Sequence, residues 1–345
     1  MSYLRTIYFR DTDAAGVVYC SHLLSICHEA YEAALRLNQI DLHNFFRSPD
    51  FAIPIVHASI NFYQPVFCGD VIRVELSPEQ LTEDTFEIQY KIFQTQREQA
   101  LTAKAVTKHV CINPISRDRQ PFPDQITRWL KASEVNSISK NLDAVVLWTN
   151  GKALFFKGDI CLRYDINTHS IDPGYPQKIA EGEWSILPES FLQGIDAGLV
   201  WNNGKAFFFR ENEYIMIDLY KRQIEPGYPQ KLDSGQWIGW PSHFYQGIDT
   251  AVLWDHGKAY FFKGSEYICY DIYREMVDAG YPKTIASLPW KGLPHYFTKN
   301  LDAAVNWNHE KAYFFKGDEY ICYDINQGCV EPTHPLKIKE GWFNF

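Results

Sequence analysis

At 345 residues the chain exceeds ordinary single-domain size and predicts two domains; its 46% hydrophobic content supplies material for two cores. Net charge is −9, with 13 Lys and Arg against 15 Asp and Glu in residues 1–132 and 20 against 27 in the remainder. So acidic a C-terminal part argues against nucleic acid, whose phosphates demand a basic face. No apolar run approaches the ~20 residues of a membrane helix, and Met1–Arg10 lacks the apolar stretch of a signal peptide. The eight cysteines form no C-x-x-C pair, which argues against structural zinc. Cys20 and Cys27 lie two helical turns apart, too far to bridge on one helix. Reduced thiols in a cytoplasmic protein are the expectation.

Residues 2–9 alternate as a strand does. From Ser21 to Gln39, Leu23, Ile26, Cys27, Ala30, Ala34 and Leu37 recur with a helical period. Leu24, Tyr31 and Ala33 make that helix apolar on more than one side, which suits a helix enclosed by a sheet. Four strand-like runs follow, about 55–63, 69–77, 84–95 and 99–112, joined by turn signals such as Cys68-Gly69-Asp70 and Glu83-Asp84. One long helix and an antiparallel run of strands predict an α+β domain over 1–132.

The connector into the helix reads Asp11-Thr12-Asp13-Ala14-Ala15-Gly16-Val17-Val18-Tyr19. It resembles the signature of hotdog-fold thioesterases of the 4-hydroxybenzoyl-CoA type, an Asp three residues before a Gly that leads into a helix. The closer resemblance, extending through Leu24–Glu32, Phe51–His57 and Gln64–Asp70, is to the 1,4-dihydroxy-2-naphthoyl-CoA hydrolases of phylloquinone synthesis. The resemblance implies that Asp13 is the catalytic carboxylate, as nucleophile or as base for water, placed immediately before the helix. Backbone amides near Tyr19 and Cys20 would then meet the developing oxyanion at the positive end of the helix dipole. Gly16 lets the chain turn and the substrate come close. Read alone, Asp13 is equally a loop or helix-capping residue; the whole motif favours catalysis. Asp11 does not match the family position and is expected to be structural.

His57 and Ser59 are placed on a strand facing the helix entrance, where they would line the acyl pocket; a satisfied strand histidine is the competing reading. No phosphate-binding glycine loop is present, so Lys91, Arg97, Lys104 and Lys108 are the candidates for coenzyme A phosphates. Hydrolysis requires no cofactor. Hotdog sites form between two protomers, so the resemblance implies a dimer or tetramer. Residues 133–140, with Ser133, Ser137 and Ser139 and no periodicity, read as a mobile linker.

Beyond it a ruler runs through the sequence. Asp143, Asp196, Asp249 and Asp302 lie 53 residues apart, as do Trp148, Trp201, Trp254 and Trp307. The repeats span about 141–193, 194–246, 247–299 and 300–345. Each opens with an apolar run ending in Trp, then a turn, then an aromatic run; Asn150-Gly151 and Asn203-Gly204 suit two-residue type I′ hairpins, whereas His309-Glu310 predicts another turn. Third strands follow at Cys161–Ile166, Tyr214–Leu219, Tyr267–Ile272 and Tyr320–Ile325, then Gly-Tyr-Pro breakers, with Thr333-His334-Pro335 in the last copy. Units of four short strands must stack to bury both faces. The pattern resembles hemopexin-like repeats, and four copies imply an all-β, four-bladed propeller over 141–345. In a four-fold ring the repeat Asp residues converge near the axis. They are candidates for a channel cation, calcium or sodium, or else cap turns by accepting backbone N–H bonds. Haem is disfavoured, because His169, His243, His256, His295, His309 and His334 fall at scattered phases. The disulfide that ties the first and last blades in secreted relatives has no cysteines near Asn141 or Phe345, and Cys329 has no partner. The expected role of the ring is to bind a protein or small ligand.

The resulting expectation is an acyl-CoA thioesterase acting on 1,4-dihydroxy-2-naphthoyl-CoA through Asp13, with the propeller as a docking module. The alternatives are a thioesterase for another aromatic or short acyl group, or a propeller-centred binding protein dimerised by its hotdog half.

Overall fold

A computed structural model describes residues 2–95, 100–149, 151–201, 203–254, 257–287, 290–308 and 310–343. Arg97, Asn150, His256, His309 and Phe345 lie outside the described residues. The chain divides into two compact units, Met1–Ser137 and Ile138–Phe345.

The first unit is built on β1 (Ser2–Thr6), α1 (Cys20–Leu37), α2 (Leu42–Phe46), β2 (Ile55–Phe62), β3 (Val71–Gln80), β4 (Thr85–Gln94), β5 (Leu101–Val110) and α3 (Asp124–Ile138). The five strands form one antiparallel sheet in the order β1-β3-β4-β5-β2. Period-two alternation sends Ile72, Val74 and Leu76, then Ile88, Tyr90 and Ile92, then Ala103 and Ala105, to the helix side. Onto that face α1 lays Leu23, Ile26, Cys27, Ala30, Tyr31, Ala34 and Leu35, and it touches β1, β2 and β3 along its length. Leu37, predicted to join the apolar stripe, is instead exposed at the last turn.

Residues 133–140 are not an irregular linker. α3 continues through them to Ile138, and its Ile126, Trp129 and Leu130 belong to the core of the first unit. Within the helix, Ser133 satisfies its hydroxyl by donating it back to the Trp129 carbonyl at 2.8 Å.

The second unit is four five-stranded sheets, one per repeat. Their innermost strands, Ala144–Leu147, Ala197–Val200, Thr250–Leu253 and Ala303–Asn306, each touch the next, and the fourth touches the first, so the ring is closed. Every blade then runs through a middle strand and a third strand, for example Lys152–Lys157 and Ile160–Asp165. The outermost strand is split in two by the Gly-Tyr-Pro segment, so both short pieces pair with opposite ends of the third strand. The X-Pro bonds at Pro176, Pro229, Pro282 and Pro335 are cis.

The hairpin turn of the second copy departs from the expected type. Gly204 has a positive φ (76°) but Asn203 does not, which excludes a type I′ turn there. The Trp201 N–H instead reaches the Lys205 carbonyl at 2.7 Å, and Gly204 N–H returns to Trp201 at 3.2 Å. Among the described residues of this turn, only the glycine occupies the left-handed region. In the fourth copy the Asn308 side-chain oxygen takes the Glu310 and Lys311 amides at 3.2 and 2.9 Å.

Two devices hold the blades. A lysine at the start of each middle strand bridges two carboxylates, as Lys152 does Asp165 and Asp172 (2.6 and 2.8 Å) and Lys258 does Asp271 and Asp278 (2.9 and 2.8 Å). Those hydrogen bonds hold Asp165 down at about 2 and lower Asp271 and Asp324. Ring closure is aromatic. Trp342 stacks edge-on against Phe155 and Tyr164 of the first blade (5.6 and 5.9 Å) and against Trp307 and Tyr313 of the fourth (4.8 and 4.9 Å).

Candidate active site and channel

The loop ahead of α1 is fixed from both ends. Asp11 is buried, accepts the Tyr8 N–H at 2.8 Å and pairs with Arg5 at 3.4 Å, so it is structural, as its position outside the motif implied. At the far end the Val18 N–H donates to the Val66 carbonyl (2.9 Å), and Val17 bridges Phe67. The Gly69-Asp70 turn completes the frame: Asp70 accepts the Phe67 N–H at 2.8 Å, while its carbonyl takes the Ile7 N–H at 2.8 Å.

Asp13 sits on the exposed crest of this loop. One oxygen, Oδ1, accepts the Ala15 and Val17 amides at 2.8 and 3.3 Å. The other, Oδ2, has no partner among the described residues. Gly16, at φ +79° with open space where a Cβ would stand, lets the chain double back so that its N–H meets the Asp13 carbonyl at 3.0 Å. The helix begins at Cys20, seven residues on, and not immediately after Asp13.

That spacing changes the donor set. Tyr19 is the N-cap residue, and its amide is already bonded to the Asp11 carbonyl at 3.0 Å, so it is not available to an oxyanion. The amides of Cys20 and Ser21 have no partner among the described residues, as expected for the first turn of a helix. The Ser21 amide is not among the predicted donors; it becomes a candidate because the helix starts at Cys20 and leaves the first-turn amides unpartnered.

His57 and Ser59 are not at the helix entrance. Cross-strand partners share a face, and His57 pairs with Lys108 and Ser59 with Val106, whereas Ala58 and Ile60 pair with the helix-side residues Thr107 and Ala105. Both therefore lie on the sheet face turned away from α1. They share it with Lys104, Lys108 and Lys91, the last two standing opposite Glu87 and Glu75. No hydrogen bond or ion pair among the described residues joins this group to Asp13. The histidine that the domain does bury is His109, stacked on Phe86 at 4.6 Å and bonded to Thr107 at 2.9 Å. Burial, with His28 nearby, pushes it down to about 3, so it is a neutral core residue.

In the ring, the four repeat aspartates do come together around one mouth of the channel, with Glu211 and Lys263 beside them. They do not form a ligand set: among the described residues no group of three or more His, Cys, Asp or Glu is placed to hold a metal ion. Each carboxylate instead anchors the turn that follows its blade's middle strand, through the amides of Gly158 (2.5 Å), Glu211 (2.6 Å), Gly264 (2.7 Å) and Gly317 (2.6 Å). Asp143 also pairs with Lys157 at 2.7 Å. Burial raises Asp196, Asp249 and Asp302, and the charge of Asp143 adds to the first and last.

The thioesterase-like superfamily matches residues 7–130, and the hemopexin family matches 142–188, 248–295 and 301–344. A 1,4-dihydroxy-2-naphthoyl-CoA hydrolase of Crocosphaera subtropica is 57% identical over 134 residues, 39% of this chain and 98% of that protein, so the ring has no counterpart in it. The protein of the same name from Gloeothece citriformis is 52% identical over 130 residues, 38% of this chain and 91% of that protein. Over 58% of this chain and 95% of the other, the fold is that of a chickpea (Cicer arietinum) plant albumin showing hemagglutination, at a TM-score of 0.52 and 22% identity. Asp13, Gly16 and the free amides at the start of α1 all fall inside the region shared with these hydrolases, and through that region the chain belongs to the family of the 1,4-dihydroxy-2-naphthoyl-CoA hydrolases, its hotdog thioesterase domain followed here by a hemopexin-fold propeller.

Proposed function

We propose that the first unit hydrolyses an aromatic acyl-CoA thioester, 1,4-dihydroxy-2-naphthoyl-CoA, to the free acid and coenzyme A, in the cytoplasm and in service of phylloquinone synthesis. The observation that carries this is the half-anchored carboxylate. Two amides fix Asp13 through Oδ1 and leave Oδ2 exposed, and the loop it crowns leads into the unpartnered amides of Cys20 and Ser21. Oδ2 either attacks the thioester carbonyl carbon or takes a proton from water that attacks it. The carbonyl π-electrons move onto oxygen, where the helix-start amides hold the charge. Collapse expels the coenzyme A thiolate, which takes up a proton. When Oδ2 is the nucleophile, water then cleaves the acyl-enzyme anhydride.

Support for a homo-oligomer comes from β2. It is an edge strand paired only with β5, and all eight of its residues are exposed or half-buried. An unpaired edge of that length is a template for a second chain. The eight free cysteines suit a reducing compartment, and no helix among the described residues is long and apolar enough to cross a membrane. Steady-state hydrolysis of the thioester by wild type and Asp13→Asn tests the reading. Removing the carboxylate is expected to lower kcat by about 10³-fold; equal rates would end it. A propeller-centred binding protein, whose ring is a complete fold in its own right, predicts instead that wild type hydrolyses no thioester.

A further inference from the structure

The four blades share one turn and differ in what it carries. After the third strand an aspartate caps the tip of the turn. Asp165 takes the Asn167 and Thr168 amides (2.8 and 3.1 Å), and Asp218 takes those of Tyr220 and Lys221 (2.9 and 3.0 Å). Asp271 takes those of Tyr273 and Arg274 (both 3.0 Å), and Asp324 that of Gln327 (2.9 Å). The residue before each tip donates its amide to the inner hairpin of the same blade, at Gly151, Gly204, Gly257 or Glu310. On this common frame the tip side chains are Asn167, Tyr220, Tyr273 and Asn326. Tyr220 and Tyr273 are 84% and 79% exposed. One edge of each ring nevertheless packs on the hairpin glycine of its blade, Gly204 or Gly257, so closely that a Cβ there would collide with it.

A single exposed ring needs no explanation. The same ring at the same place in neighbouring blades, with asparagine in the other two, is a built pair of stacking surfaces. The innermost strands of those two blades, Ala197–Val200 and Thr250–Leu253, touch, and repeat equivalence puts both rings on one side of the propeller. Their surroundings narrow what stacks there. Each tip stands on a lysine shared by two carboxylates, as Lys205 is by Asp218 and Glu225, which leaves negative charge beneath it. That sets aside a polyanion such as nucleic acid or an anionic lipid surface. The residues after the rings, Lys221, Arg222 and Gln223, then Arg274 and Glu275, are all polar and exposed, whereas a proline-rich segment needs an aromatic-lined groove. Lys221 also reaches Asp218 at 3.5 Å, and Arg274 leans on Met276 Sδ at 3.7 Å. A pyranose satisfies both conditions: its C–H face lies on the aromatic ring while its hydroxyls meet the charged groups around it.

We propose that the second and third blades form a binding site for a neutral, linear oligosaccharide, Tyr220 and Tyr273 each stacking one sugar ring. Two shallow, equivalent subsites favour a repeating chain that engages both over a single sugar that reaches one. The site is separate from the thioesterase chemistry and does not depend on it. Calorimetric titration of the full chain with cellohexaose, whose equatorial hydroxyls leave both ring faces apolar, is expected to give saturable binding with a Kd on the order of 0.1 mM. Glucose should bind at least about tenfold more weakly. Tyr220→Asn and Tyr273→Asn, each introducing the residue that the first and fourth blades carry at this place, should each weaken cellohexaose about tenfold, the worth of one aromatic stacking partner. The double variant should lose binding while its thioester hydrolysis and the melting of its ring stay at the wild-type values. No saturation, a double variant that binds unchanged, or hexaglucuronate or a proline hexapeptide binding as tightly as cellohexaose would each overturn the proposal.

Discussion

The two units solve the problem of sheet edges in opposite ways. The propeller packs the innermost edges of its four separate sheets against one another in a closed ring, and hides its joint under Trp342. The hotdog unit leaves β2 unpaired and keeps Val56, Phe62 and Tyr63 exposed beside it. A domain that completes itself is suited to carrying a surface site, whereas one that stays open invites a second copy of itself. The contrast teaches that catalysis here resides in the less self-sufficient half.

Breaking that contrast begins with the edge. If β2 is the joint of the proposed oligomer, a charge on it, Val56→Lys, should give a monomer by light scattering, and hydrolysis should fall more than tenfold while the ring melts unchanged. An unchanged mass would show that β2 is not the joint. The opposite insult, Trp342→Ala, should cost the ring about 4 kcal/mol, as large-to-small core changes do, lowering its melting transition by about 10 °C. Hydrolysis should persist, because no active-site group lies in the ring; parallel loss of both would refute the division of labour.

Smaller effects sharpen it. Gly16→Ala meets no steric neighbour but must hold φ +79°, so about 1–2 kcal/mol of backbone strain is expected, read as a modest drop in kcat with the ring unaffected. Acid should act on the ring with two signs. Asp165, Asp271 and Asp324 are lowered by their lysines, so the stability they confer is present above the usual carboxylate range and is lost as pH falls from about 4 towards 2. Asp196, Asp249 and Asp302 are raised by burial, so they favour the fold when protonated, and that contribution is lost as pH rises through their folded values. Lys258→Met should therefore shrink the decline in stability as pH falls below the carboxylate range, and Asp249→Asn should flatten the loss as pH rises through the Asp249 titration, both measured by denaturant titration across pH.

Much of this was legible in the sequence. The 53-residue period gave four blades, and the strands of the first unit lie within a few residues of the expected runs, because alternation and turn residues state them locally. The Asp13 motif was readable for the same reason. What escaped was set by long-range geometry. Pro123 followed by Asp124, with Ile126, Trp129, Leu130 and Ser133 at helical spacing, marked α3, yet Ser133, which bonds backward along the helix, read as part of a linker. The face of His57 depended on which of its neighbours met Ala105 across β5. The Tyr19 amide was lost to Asp11, a partner eight positions earlier that only the doubled-back loop brings near. The repeat aspartates anchor turns, because the amide two strands on is always within reach.

The joint under Trp342 also fixes an order of events. Its partners Phe155 and Tyr164 lie near the start of the ring, so the closing contact spans almost every residue of all four repeats and cannot form until the last has been made. Contacts within the first unit are confined to Met1–Ser137. On a ribosome the catalytic half can therefore reach its native form while the blades are still an open stack, and the ring is the part whose maturation is slow to begin.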